Sequence, residues 1–344
     1  MKKILLSLAV VACSLLSFAQ TNPMVWNNGR MQFALPIDKV DSLIFTGNVE
    51  ESDTLQLILP RAGEREMRTK VTLPKYDTTI VVQRDTIYSK PYTVYAGYTA
   101  SAFSVSDSKK VAFSKGNLQY TQSTSTWAFA ENQYDMIGAD NVSNSALADK
   151  IDLFGWSGSN TATQWGISIL GSVTDYPGDL IDWGKNIGDG NTWRTLTTNE
   201  WYYLFKTRTN ASSKYGVARI NLTTDGSQYV NGLILLPDTW ICPPGIIFSS
   251  GVSSSDGAQY YAEYQTFTLL QWLQLEQAGA VFLPAAGDRF RNKMSAVQDK
   301  GYYWSSTTYS TESEYNMSFK SDHITPQDIM HRYYGLSVRL VKDL

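Results

Sequence analysis

Side chains able to do chemistry are few in this chain. Cysteine occurs twice, at Cys13 and Cys242, and histidine twice, at His323 and His331. Cys242 lies in Trp240-Ile241-Cys242-Pro243-Pro244, an apolar and stiff setting with no base beside it in sequence, so it reads as a buried small hydrophobe and not as a nucleophile. Ser305, Ser306, Asp322, His323, Asp328 and His331 fall within one terminal stretch and supply the residue types of a hydrolytic triad. No Gly-x-Ser-x-Gly elbow accompanies them, and a triad is defined by geometry, not by closeness in sequence. The plainer expectation puts Ser305 and Ser306 on a core strand, hydroxyls meeting backbone groups, and both histidines on loops. Asp175, Asp179, Asp182 and Asp189 gather around Gly178, Gly184, Gly188 and Gly190, oxygen ligands on a loop of the kind that suits a structural calcium ion. Their spacing matches no EF-hand. No catalytic residue, metal ligand or cofactor is assigned from the sequence.

The elements that must position such groups begin after an export signal. Lys2 and Lys3, an apolar run from Ile4 to Leu16, and Ser17-Phe18-Ala19 before Gln20 give residues 1–19 the pattern of a cleaved signal peptide. The run is too short to span a membrane. Val10-Val11-Ala12-Cys13 is similar to a bacterial lipobox, but Leu15, Leu16 and Phe18 continue the apolar run beyond the cysteine, which favours ordinary cleavage over a lipid anchor. The expected location is the cell surface, the outer membrane or the medium. Cleavage leaves Cys242 alone, so no intramolecular disulfide is expected and stability must come from the core. It also takes two lysines from the 29 basic residues and none of the 32 acidic ones, leaving a balance of -5. That charge offers no basis for wrapping nucleic acid. With 43% hydrophobic and 13% aromatic residues among 344, the chain can bury a large core, which excludes a disordered reading.

Residues 20–100 read as a small β-rich module or spacer. Met31 to Leu35, Val40 to Phe45 and Leu55 to Leu59 are short strand patterns with turn punctuation, set apart by a charged stretch from Arg61 to Lys70. Strands of this kind could also pair with a neighbouring molecule. Residues 101–344 form one continuous domain of α+β class, with Val105, Val111, Phe113, Leu118 and Tyr120 in an opening pair of strands. Two helices are predicted. Thr197 to Glu200 is a capping box followed by Trp201, Leu204 and Phe205, and Thr268 to Gln271 is another, followed by Leu269, Trp272 and Leu275 and stopped by Gly279.

Several stretches then carry a resemblance. Trp193-Arg194-Thr195-Leu196-Thr197-Thr198-Asn199-Glu200-Trp201 resembles the Trp-Arg-Leu-Pro-Thr-x-x-Glu-Trp signature of formylglycine-generating-enzyme-like and C-type-lectin-like domains, with Thr195-Leu196-Thr197 in place of Leu-Pro-Thr. Val281 to Gly287, Gly301 to Ser306 and Gly335 to Asp343 resemble, in order, the Fibrobacter succinogenes major paralogous domain, a bacterial branch of the C-type lectin fold. Val-Asp-Ser-Leu-Ile-Phe at 40–45 is similar to a module of exported proteins in Gram-negative gut bacteria. The resemblance implies small twisted antiparallel sheets with two helices, and terminal strands that set Val111 to Ser114 near Leu336 to Val341. It does not imply catalysis here. The copper-binding branch uses a cysteine pair and the iron-dependent branch three histidines, and the mature chain has one cysteine and two histidines. The Glu-Pro-Asn and Trp-Asn-Asp sugar signatures of calcium-dependent lectins are absent, with Trp304-Ser305-Ser306 in the nearest comparable place.

The surface remains. Between Thr307 and His331 the chain is rich in Tyr, Ser, Thr, Asn and Asp, residues that give adaptable contact area and hydrogen bonds in binding loops. The expected contact set is Tyr309, Asn316, Ser318, Ser321, Asp322, His323 and Gln327 on one exposed loop surface, with Trp304 and Arg339 as scaffold. The expected partner is a glycan or a host or bacterial surface protein, bound without metal or cofactor. A structural subunit or tip adhesin of a surface fibre is the alternative.

Overall fold

The computed structural model divides the chain into two compact units, Met1–Ala96 and Gly97–Leu344. It describes strand backbone within residues 1–100, and residues 101–141, 149–157, 171, 178–188 and 192–344 in full. Cys13, the Ser17-Phe18-Ala19 cleavage pattern, Asp175 and Asp189 lie outside the described residues.

The first unit holds a five-stranded antiparallel sheet in the order Arg30–Ala34, Met24–Asn27, Thr54–Arg61, Glu64–Thr72, Val82–Thr86. The charged stretch expected to separate strands is itself a strand. Arg61 pairs with Glu64 in an antiparallel register that puts Met67 opposite Leu59 and Val71 opposite Leu55. Ile4–Ala9, from the apolar N-terminal run, pairs antiparallel with Ser42–Gly47.

The second unit is mixed α+β, dominated by strands in small sheets, with three α-helices among the described residues where two were expected. Both predicted helices form behind their capping boxes. In α1, Thr198–Tyr202, the Thr197 hydroxyl accepts from the Glu200 N–H while the Glu200 carboxylate accepts from the Thr197 N–H. The Thr268 and Gln271 pair does the same for Leu269–Gln277, and Gly279 ends that helix at φ +97°. The helix that sequence misses, Gln259–Tyr264, starts from Ala258 with no side-chain cap, just after an Asp-Gly pair that reads as a turn.

The terminal strands pair as the resemblance implies: Lys110–Phe113 runs antiparallel to Leu340–Asp343, with Phe113 opposite Val341, and the Ser114 N–H donates to the Leu340 carbonyl. Three apolar clusters fill the unit. One joins Phe103, Phe113, Trp201, Val217, Leu233, Tyr303, Met317 and Phe319, the second gathers Trp156, Trp183, Trp193, Trp304 and Val338, and the third lies around Ile234, Trp272 and Phe282. Among the described residues no helix is long and apolar enough to cross a membrane.

The sheet that matters most for surface chemistry has five strands. In chain order these are β1 (Leu153–Phe154), β2 (Gly301–Thr308), β3 (Ser313–Lys320), β4 (His323–His331) and β5 (Leu336–Ser337). Their spatial order is β1-β5-β2-β3-β4. The segment read as an exposed polar loop is therefore mostly two paired strands. Its mixed composition hides a period of two, in which Tyr315, Met317 and Phe319 alternate with Glu314, Asn316 and Ser318.

Candidate functional site

Alternation on β3 decides what each face of the hairpin can do. Met317 and Phe319 turn inward beside Tyr303 and Trp201. On the same side but farther out, Tyr315 stands opposite Ile329, and Ser313 stands opposite His331. The Tyr309 ring meets Tyr315 edge-on at 5.2 Å, and the Ser313 hydroxyl and His331 Nδ1 lie 3.0 Å apart. The His331 ring stacks on Tyr333 at 5.1 Å. Tyr309 is 54% and Ile329 39% exposed, and α1, whose Trp201 packs on this sheet, ends in Tyr202 at 44%. The outer end of the hairpin thus presents aromatic and aliphatic groups, Ile329 and the half-buried Tyr315 from the strands and Tyr309 from the β2–β3 turn.

The other face of β3 is closed. Glu314 is fully buried and ion-paired with Arg332, whose guanidinium also donates to the Ser310 and Gly178 carbonyls and lies 4.8 Å over the Trp156 ring. Burial pushes the Glu314 carboxyl up to about 7, against the opposing pull of Arg332. The second Glu314 oxygen accepts from the Tyr309 N–H at 3.1 Å, so the buried pair fixes the backbone that displays Tyr309. Beneath it, Trp304 donates to the Phe154 carbonyl at 2.7 Å and Trp156 to the Ser305 carbonyl at 3.0 Å. Arg339 is buried too, held by Gln133 at 2.6 Å and Asn117 at 3.3 Å.

The seven residues expected to make one surface are divided by this geometry. Tyr309 is exposed at the β2–β3 turn, Gln327 is exposed midway along β4, and His323 is exposed at the opposite turn. β3 has eight residues, which sets the two turns roughly 25 Å apart. Asn316 is fully buried, in register with Trp304 and Asp328, and neither of its amide atoms has a hydrogen-bond partner. Ser318 is buried and donates to Asp328 at 2.7 Å. Ser321 is buried and joins the turn to the 253–257 loop, donating to the Ser255 carbonyl and accepting from the Gly257 N–H, both at 3.0 Å. Asp322 bonds His323 Nδ1 at 2.7 Å. Partial burial raises its carboxyl slightly, and the His323 contact and Lys320 outweigh that, leaving it below the usual carboxylate range. Strand pairing explains the division, because it turns alternate polar residues under the sheet. Ile329, His331 and the half-buried Tyr315 were legible only through the alternation on β3 and β4, while Tyr202 on α1 and the half-buried Tyr333 lie beyond both strands.

The groups weighed for catalysis have other partners. Ser305 is buried and its hydroxyl accepts from the Thr307 N–H at 3.2 Å, while the Ser306 hydroxyl points to the Thr195 carbonyl at 3.4 Å. His323 and His331 open and close β4, so they are strand ends and not loop residues. Asp182 caps the 183–186 turn through the Gly184 N–H and also accepts from Thr195. Burial raises the Cys242 thiol above its ordinary value. Among the described residues no group of three or more His, Cys, Asp or Glu side chains is placed to hold a metal ion.

β4 is the edge of its sheet, and two features guard that edge. Pro326 removes one donor, and the Asp328 carboxylate accepts from the Ile329 N–H at 2.8 Å. Edge pairing with another strand is thereby disfavoured, while the face beside it stays open.

Comparison with known proteins matches residues 270–341 to a family described as a domain of unknown function (DUF8237), a stretch that takes in most of the 269–277 helix and strands β2 to β5. No curated protein and no solved structure matches the chain.

Proposed function

We propose that the chain is an exported, non-enzymatic surface protein that binds a glycan or protein ligand through the outer end of the β2–β3–β4 hairpin, on a C-type-lectin-like frame. One observation carries this reading: Tyr309 and Ile329 stand exposed at the outer end of the hairpin beside the half-buried Tyr315, and the buried Glu314–Arg332 pair holds the backbone that displays Tyr309. Tyrosine and isoleucine held this way offer contact area with little side-chain freedom left to lose. Binding would run on stacking and neutral hydrogen bonds, with Gln327 and His331 at the margin and no metal. A Tyr309→Ala/Tyr315→Ala/Ile329→Ala variant should keep its melting midpoint to within a few degrees and lose its ligands on glycan and host-protein arrays. Undiminished array binding by a folded triple variant refutes the reading.

The five-stranded sheet of the first unit favours a second reading, a subunit or tip of a surface fibre. Its order leaves Arg30–Ala34 and Val82–Thr86 as edges for strand addition. If so, residues 20–344 should assemble in size-exclusion chromatography and residues 101–344 should not.

A further inference from the structure

The loop from Trp240 to Phe248 is folded back on itself. The Ile246 N–H donates to the Pro243 carbonyl at 3.2 Å, closing a turn with Pro244 and Gly245 at its centre, and Gly245 takes φ +81°, as the third position of a type II turn requires. The Cys242 thiol donates to the Ile246 carbonyl at 3.4 Å, and at the base the Trp240 and Phe248 rings meet at 6.4 Å. Phe248 stacks in turn on Phe267 of the third core cluster. Trp240, Cys242, Ile246 and Phe248 all pack against that core. The pair between them, Ile241 and Ile247, is turned outward at 81% and 88% exposed, the most exposed large hydrophobic side chains among the described residues. From Thr239 to Ser255 no residue carries a charge.

We propose that this loop is a self-association surface, on which Ile241 and Ile247 of one chain pack against the same pair of a second copy about a two-fold axis. Close to a two-fold axis a surface group meets its own duplicate, so a charge there would face a like charge, and this chargeless patch sets none against another. The two isoleucines, Pro244 and the outer edges of Trp240 and Phe248 expose apolar area on the order of 400 Å², in the range where patches on soluble proteins are functional. Two such patches bury about 800 Å² of apolar surface, and the Ser249–Ser250 rim brings the contact toward about 1,000 Å², the size of a weak, reversible dimer and not a permanent one. The two prolines and the core-packed base hold the loop in place beforehand, so docking orders little that was free. This contact is independent of the aromatic row on the hairpin and of the strands in the first unit.

Sedimentation equilibrium of the chain from Gln20 onward, over roughly 1–100 µM, tests it. The native chain should dimerise, with little change on raising salt to about 1 M. The Ile241→Ser/Ile247→Ser variant should keep its melting midpoint, because neither side chain is packed in the core, and its dissociation constant should rise at least about 100-fold. A native chain that stays monomeric throughout overturns the proposal, as does a variant that dimerises as tightly as the native chain. A native chain monomeric in solution but sedimenting with phosphatidylcholine vesicles also overturns it and assigns the loop to lipid instead.

Discussion

Replacing Arg332 by Met is the sharpest test of how the aromatic row is held. The guanidinium has three partners at once, the buried Glu314 carboxylate and the carbonyls of Ser310 and Gly178, and its side chain is only 8% exposed. Methionine fills much of the space but pairs with none of them. Breaking a buried ion pair from one side typically costs about 3–5 kcal/mol, because the charge left behind has neither partner nor water. For a unit of this size that corresponds to a melting midpoint lower by roughly 6–20 °C at pH ~7. Adding Glu314→Gln should recover part of the stability at pH ~7, since a neutral amide costs less than a charge to leave buried. Thermal melts followed by near-ultraviolet circular dichroism at pH ~7 measure both. A loss below about 1 kcal/mol refutes the claim that this pair braces the hairpin.

Asp152 sets a pH dependence of opposite sign to that of a surface carboxylate. Burial outweighs its hydrogen bonds from Ile137 and Asn141 and raises it to about 6, against about 3.9 in the unfolded chain. Between those values the folded state binds more protons, so Asp152 makes stability fall as pH rises from about 4 to about 6. Asp152→Asn should flatten that slope in a series of melts, and an unchanged slope would show that Asp152 does not cause it. Gly232→Ala should destabilise the second unit by about 2 kcal/mol or more, because the added methyl runs into the Phe282 ring and the Leu283 carbonyl oxygen, and a backbone atom cannot swing aside. Urea unfolding measures this, and a neutral substitution would show that the Tyr229–Leu235 and Val281–Pro284 strands pack less closely than their register indicates.

Sequence reached those parts of the fold whose causes are local. Thr197 with Glu200 and Thr268 with Gln271 satisfy backbone donors within four residues, so their helices could be read directly. The terminal strands followed from apolar positions matched to a known pattern. The site followed less well, because its determinants are distant in the chain. Glu314 and Arg332 are separated by a whole hairpin, and no local pattern announces that they meet beneath it. Averaging composition over Thr307 to His331 marked Asn316, Ser318 and Ser321 as surface residues, whereas pairing on both sides of β3 buries all three. The run around Cys242 shows the converse. An apolar stretch reads as interior, yet the turn at Pro244-Gly245 leaves Ile241 and Ile247 in water.

The guarded edge of β4 separates two demands that usually conflict on a β-rich surface. At high local concentration an open strand margin beside exposed tyrosine and isoleucine would invite copies of a chain to fuse into fibrils. Here Pro326 and Asp328 discourage that zippering, while Tyr309, Tyr315, Gln327 and Ile329 stand clear of the buried bonding beneath them. Those outward positions can therefore change in evolution without eroding the frame that displays them.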